Sequence, residues 1–408
     1  MHIFDFFLGR NRHTYLVANV LIVLVVIFEY ATHGHMLSAS NLHNLLAGNS
    51  YIFVLTIGMV LVVIIGQIDL SVGSVGAFVS MTMALGMAHG GIPFWLAIPA
   101  SLVLGGCIGA FHAFFLAYFA VPSFVITLAG MLIFRGLLLW ESQALSVPVP
   151  TQFQFLGSGT LPYFGRFLGV DIATCIFGLC VGLIFMCDQW RRQKNIARAG
   201  AQVRKSSFIF RCLLLFFCVS VCVWLFGRGP IGTAVPLSAL VVFILAVIYH
   251  FLLQRTTFGR HVYAVGGNPV AAHLSGVNVQ RIQFIVLTNM GVLAALAGIL
   301  FTARATAAGP QDGALWELDA IAAVFIGGVA ISGGTGSVIG GVLGALVMAV
   351  LNNGLLLLGV GSDRAQVIKG IVLVVAVLYS LLSRQQRNVS FAQKLMRSRA
   401  FMTQNFPH

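Results

Sequence analysis

Long apolar runs separated by short polar or glycine-rich breaks make up most of the chain. A helix that crosses a bilayer needs about 20 such residues, somewhat fewer where it is broken. On that measure the runs predict twelve crossings, at 16–32, 51–66, 70–88, 93–118, 122–140, 170–189, 207–226, 231–253, 283–303, 319–332, 337–358 and 366–382. The expected fold is all-α, a polytopic transmembrane helix bundle over 16–382 with broken helices. A short terminus, 1–15, and a basic tail, 383–408, flank it.

The polar breaks test this topology. Placing 1–15, 119–121, 190–206, 254–282, 333–336 and 383–408 on one side collects sixteen of the 23 Lys and Arg there, against four on the other. Basic residues accumulate on the cytoplasmic side, so both termini are expected in the cytoplasm. At the N-terminus, Arg10 and Arg12 precede an apolar run, as in a signal peptide. Glu29-Tyr30 occupies the place of the small cleavage residues, so an uncleaved first helix is expected. Two outer segments look structured, 141–168 and 304–318 (RATAAGPQDGALWEL). They are ordinary loops or an outer face for a solute-delivering partner.

Composition sharpens the picture. Charged residues are 8% of the chain and hydrophobic ones 59%, with 33 Phe, where soluble proteins carry roughly 25% charged residues. The net charge of +13 therefore reflects loop arginines and lysines, and no nucleic-acid motif accompanies it. Seven Cys without a CxxC pair read as small hydrophobes.

An internal echo marks candidate chemistry. Residues 66–74 (GQIDLSVGS) and 327–335 (GGVAISGGT) match at an offset of 261, pairing Gly66, Ser71 and Gly73 with Gly327, Ser332 and Gly334. Interrupted helices at matching places in two halves mark translocation paths, and also arise from tight packing alone. Gly336, Gly340 and Gly344, and Gly105 with Gly109, fit packing. Asp69 reads as a solute or gating contact, with Arg135 or Lys369 as counter-charge, or as a helix cap. Asn352-Asn353 place two amides in an apolar helix, suited to sugar hydroxyls or to interhelical bonding. Path candidates are thus Asp69, Ser71, Gly73, Ser332, Gly334, Asn352 and Asn353.

Other classes lose support. No GxxxxGK[ST] occurs, GRGPIG at 227–232 lacks a preceding strand, and no zinc spacing is present. No catalytic residue, metal site or cofactor is expected. Segment 254–282 differs from the rest. Gly266-Gly267-Asn268-Pro269 is a turn that opens a short helix to about Leu274, ended by Ser275-Gly276. Ala271 and Ala272 let another protein approach, so the segment suits a docking knob.

At this segment, GRHVYAVGGNPVAAHLSGVNV resembles the cytoplasmic coupling loop of permease subunits of ribose- and xylose-type ATP-binding cassette (ABC) sugar importers. GQIDLSVGS, VPSFVITLAGMLIFRGLLL and GGTGSVIGGVLGALVMAVLNNGLLLLGV are similar to other motifs of that family, over most of 40–382, and the 121–139 run is most similar to the D-xylose permeases. The resemblance implies a permease for a monosaccharide, with Gly259, Arg260, Gly266, Gly267, Asn268, Ala271, Ala272, Leu274, Ser275 and Gly276 coupling it to an ATPase subunit. It also implies a second permease chain, an extracytoplasmic sugar-binding protein and ATP used only by the partner. The competing expectation is an ion-coupled secondary transporter, which needs ionisable groups near the midplane.

Overall fold

The computed structural model describes residues 12–198, 205–375 and 378. Arg10, Arg204, the tail 383–408 with its basic residues, and the end of the last expected crossing lie outside the described residues. In chain order the helices are α1 (Arg12–Ala31), α2 (Ala39–Gly48), α3 (Ser50–Ile64), α4 (Val72–Ala88), α5 (Phe94–Phe119), α6 (Ser123–Ser142) and α7 (Thr151–Ser158). They continue as α8 (Ile172–Arg198), α9 (Lys205–Gly227), α10 (Leu237–Arg255), α11 (Thr257–Gly267), α12 (Pro269–Leu274), α13 (Val279–Ala305), α14 (Trp316–Ile326) and α15 (Val338–Leu357), and a helix α16 over 362–375. Strand β1 (Val147–Pro148) pairs antiparallel with β4 (Ala307–Ala308), and β2 (Arg166–Phe167) with β3 (Val170–Asp171).

The bundle is layered by the reach of its side chains. Every α3 residue except Tyr51 is buried, and α13, α14 and α15 are also largely inside. Around them α5, α6, α8 and α10 present Val, Leu and Phe outward, the pattern of helices that face lipid. Apolar helices gain little from burying apolar side chains away from lipid, so backbone approach decides which ones cross closely. Gly105 and Gly109 of α5 meet Gly291 of α13, and Gly76 of α4 meets Gly298, where a Cβ would strike backbone. Gly340 and Gly344 likewise seat α15 on α14.

Six helices are long and apolar enough to cross, and a seventh arises if α2 and α3, bent by 47°, form one span. The described residues do not confirm all of the twelve expected crossings. The run 319–332 is an eleven-residue helix, α14, rising about 16 Å, half of a ~30 Å hydrocarbon core. Gly327 and Gly328 end it. The second run likewise starts earlier than expected, at Ala39, with Asn49 at its bend.

The internal echo has a structural counterpart, shifted by one residue. Gly66 N donates to Val63 O and Gln67 N to Val62 O; Gly328 N donates to Phe325 O and Val329 N to Val324 O. Both are Schellman endings, with Gly66 (φ +78°) and Gly328 (φ +84°) in the left-handed position. The offset is 262, and the next helix starts at Val72 in one half and Val338 in the other. The second connection is thus four residues longer, so Ser71 and Ser332, or Gly73 and Gly334, are not equivalent positions.

Candidate functional site: a polar centre and a glycine junction

Two short helices meet start to start. Helix α14 runs toward the end of the bundle that carries 254–282, while α4 runs away from it. Gly73, in the first turn of α4, lies against the Gly313 carbonyl and the Glu317 carboxylate with no room for a Cβ. Segment 304–318 is therefore more than a surface loop, since part of it packs inside the bundle. After β4, the turn with Gly313 (φ +73°) and Leu315 (φ +64°) carries the chain inward, and Glu317 and Asp319 are 4% and 5% exposed. Both acids occupy the first turn of α14, where the helix dipole favours negative charge.

Around this point lie three of the four buried carboxylates among the described residues, Asp69, Glu317 and Asp319. Asp69 is 4% exposed, and its Oδ1 accepts from Ser71 N at 2.8 Å and Ser71 Oγ at 2.6 Å. That is a local turn ahead of α4, not a cap, since no side chain caps α4. Ser71 Oγ also stands 3.4 Å from His112 Nδ1, and the buried His112 Nε2 has no hydrogen-bond partner. Neither expected counter-charge pairs with Asp69. Lys369 Nζ is 3.0 Å from Asp319 Oδ2, and Arg135 Nη1 donates to Asp312 O at 2.7 Å.

The asparagine pair divides its labour. Asn353 and Asn41 exchange two amide hydrogen bonds, 2.9 and 3.1 Å, which makes Asn353 an interhelical tie. Asn352 Nδ2 instead points to Asn49 Oδ1 and Asp319 Oδ2, both at 3.4 Å, and its Oδ1 has no partner. Beside them Tyr51 stacks on Trp316 (4.4 Å between centroids) and meets Phe301 edge-on. Carboxylates, an amide and aromatic faces together suit the hydroxyls and C–H faces of a sugar.

The remaining candidates gather at the end that carries 254–282. Thr256 caps α11, and Gly266 is pressed against Ile64 O and lies where a Cβ would be 2.7 Å from Gly334 N. Gly334 N in turn donates to Ile64 O at 2.8 Å, and Tyr263 Oη donates to Gly336 O at 2.8 Å. Burial raises the Tyr263 pKa despite the Gln254 hydrogen bond, so the hydroxyl stays a donor. One helix thus touches the connection after α3 and the connection after α14. Gly334 belongs to this junction and Ser332 is exposed on its surface, so neither lies at the polar centre.

Beyond it, α12 spans Pro269–Leu274, capped by Asn268 Oδ1, which accepts from Ala271 N at 2.9 Å. Ala271, Ser275 and Gly276 are exposed with Val270 and Leu274, while Ala272 is buried. Only Ala271 of the alanine pair can meet a partner, because adjacent helical positions point about 100° apart. Gly259 packs on the Leu252 and Leu253 carbonyls, while Arg260 and Gly267 are exposed.

Sequence reasoning missed His112, Glu317, Asp319, Asn49 and Tyr51. Glu317-Leu-Asp319 at the head of an apolar run was a visible signal. His112 within α5 was a weaker one.

Comparison with known proteins agrees with this architecture. Residues 41–377 match the family described as branched-chain amino acid transport system / permease component. The chain is 38% identical over 372 residues to the xylose transport system permease protein XylH of Haemophilus influenzae, covering 90% of this chain and 96% of that one. Its identity to the xylose transport system permease protein XylH of Escherichia coli K12 is 37%, covering 90% and 91%. To the ribose import permease protein RbsC of the same organism it is 33%, covering 88% and 90%. No solved structure matches. The broken helices, the glycine junction and this coverage lead to one conclusion: the chain belongs to the branched-chain amino acid transport system / permease component family.

Proposed function

We propose that this chain is the membrane-spanning permease subunit of an ATP-binding cassette importer that passes a monosaccharide, D-xylose, across the cell membrane. The observation that carries the reading is the glycine junction, where one exposed inner segment holds the connections after α3 and α14 at once. Force applied to α12 by a partner reaches both breaks through packed backbone rather than flexible side chains. Similarity to xylose transport permeases supports the solute class. An ATPase subunit, an extracytoplasmic sugar-binding protein and a second copy of this chain complete the assembly, with both termini cytoplasmic.

The polar centre supports the same reading. Asp69, Glu317, Asp319 and Asn352 offer weak contacts to hydroxyls, while high affinity belongs to the delivering protein. Because ionisable groups are more numerous here than sequence alone indicated, ion coupling has to be tested directly. Xylose uptake by cells carrying the full transporter should persist with an uncoupler and stop when ATP is depleted. The opposite pattern refutes the ATP-driven reading.

A further inference from the structure

Two adjoining cavities lie away from the polar centre. One, of about 490 Å³, opens between 159–171 and the 227–237 turn, with Arg166, Asp171 and Phe226 in its wall. The other, of about 510 Å³, is a cleft between the α8–α9 hairpin and helices α10 and α15, and Phe226 lines it too. Its walls are almost wholly apolar. Along α10 it runs from Ala239 to His250, about 17 Å of helix rise, close to the ~15 Å depth of one leaflet's hydrocarbon.

The first cavity carries charged side chains in its wall. Arg166 and Asp171 are register partners in the β2–β3 ribbon. Arg166 Nη2 donates to Gly229 O, which leaves further guanidinium N–H groups for an anion. Asp171 is 6% exposed. Its Oδ2 accepts from Thr174 N and Oγ1 at 2.8 and 2.9 Å, but its Oδ1 has no hydrogen-bond partner. A buried carboxylate oxygen without a donor is costly and calls for one.

We propose that one phospholipid with an amine headgroup, of the phosphatidylethanolamine class, binds here and joins the hairpin to the bundle. Its phosphate meets Arg166, its ammonium meets Asp171 Oδ1, and an acyl chain fills the cleft. A sugar in the first cavity leaves the apolar cleft empty. A purely anionic lipid places its charge beside Asp171 without compensation. Phe177 and Phe243, both in the wall of the cleft, meet with ring centroids 5.3 Å apart.

Native mass spectrometry of the permease purified in mild detergent tests this. One phosphatidylethanolamine per chain is expected to survive delipidation. Arg166→Ala and Asp171→Asn should each weaken its retention roughly ten- to a hundredfold, the range for one charge-assisted hydrogen bond. Asp171→Asn keeps the cap on Thr174, Arg166→Lys should restore much of the binding, and Ala246→Phe should displace the chain from within the cleft. A lipid-free protein, equal retention of phosphatidylglycerol, or variants that all keep the lipid overturn the proposal.

Discussion

Gly266→Ala tests the junction most sharply. The new Cβ would sit 2.7 Å from both the Gly334 nitrogen and the Ile64 carbonyl carbon, and closer still to Ile64 O. Ordinary contacts are 3.4 Å or more, and all the obstructing atoms are backbone, so α11 or the two connections must move apart by roughly 1 Å. Overpacking of this kind costs about 1–3 kcal/mol. Alanine recovers up to about 1 kcal/mol of helix propensity over glycine. With that gain in full the net is about 0–2 kcal/mol, too little to unfold the bundle, while the forced separation breaks the Gly334 N to Ile64 O bond. In reconstituted transporter, binding-protein-stimulated ATP hydrolysis and sugar uptake should separate, with hydrolysis retained and uptake reduced at least several-fold. Gly267→Ala is the control, since nothing lies within 4 Å of its Cβ. Wild-type uptake by Gly266→Ala, with normal hydrolysis, would falsify the idea that this glycine transmits motion.

Three other substitutions probe separate parts of the molecule. Asn353→Leu should lower thermal stability by about 0.6–1.7 kcal/mol, the measured range for interhelical bonds in membranes, and Asn41→Leu added to it should cost little more; simple additivity would show that the two amides act independently. Asp319→Asn should leave Lys369 with a weakened partner and impair transport more than stability, because the Lys369 side chain is 26% exposed and can reach water; it should be rescued in part by Lys369→Met, and a double variant worse than either single refutes the pairing. Ala271→Arg should give a folded permease that fails to couple, whereas Ala272→Arg should reduce the amount of folded protein, since that side chain is buried; the reverse order in expression and ATPase-coupling assays means α12 is rotated from the geometry described.

The apolar runs alone determined that this chain crosses a membrane repeatedly, because hydrophobic length is a local property and water cannot be shared along it. The bounds of α12 were equally legible, since Asn-Pro opens and Ser-Gly closes a helix through short-range bonds. So was the existence of two broken connections, because Gly-rich interruptions are local. What sequence could not supply was partnership. Asp69 faces Ser71 rather than Arg135 or Lys369, and Asn352 and Asn353 divide between the polar centre and a distant tie to Asn41. The Gly334 string is drawn to Gly266 and Ile64 and does not lie with Gly73 at the polar centre. The short crossing expected at 319–332 is a half-length helix because glycines at both of its ends let the chain turn within the protein, where neighbouring backbone can satisfy the freed carbonyls. Each of these outcomes depends on which backbones approach one another across hundreds of residues, and only the packed bundle fixes that.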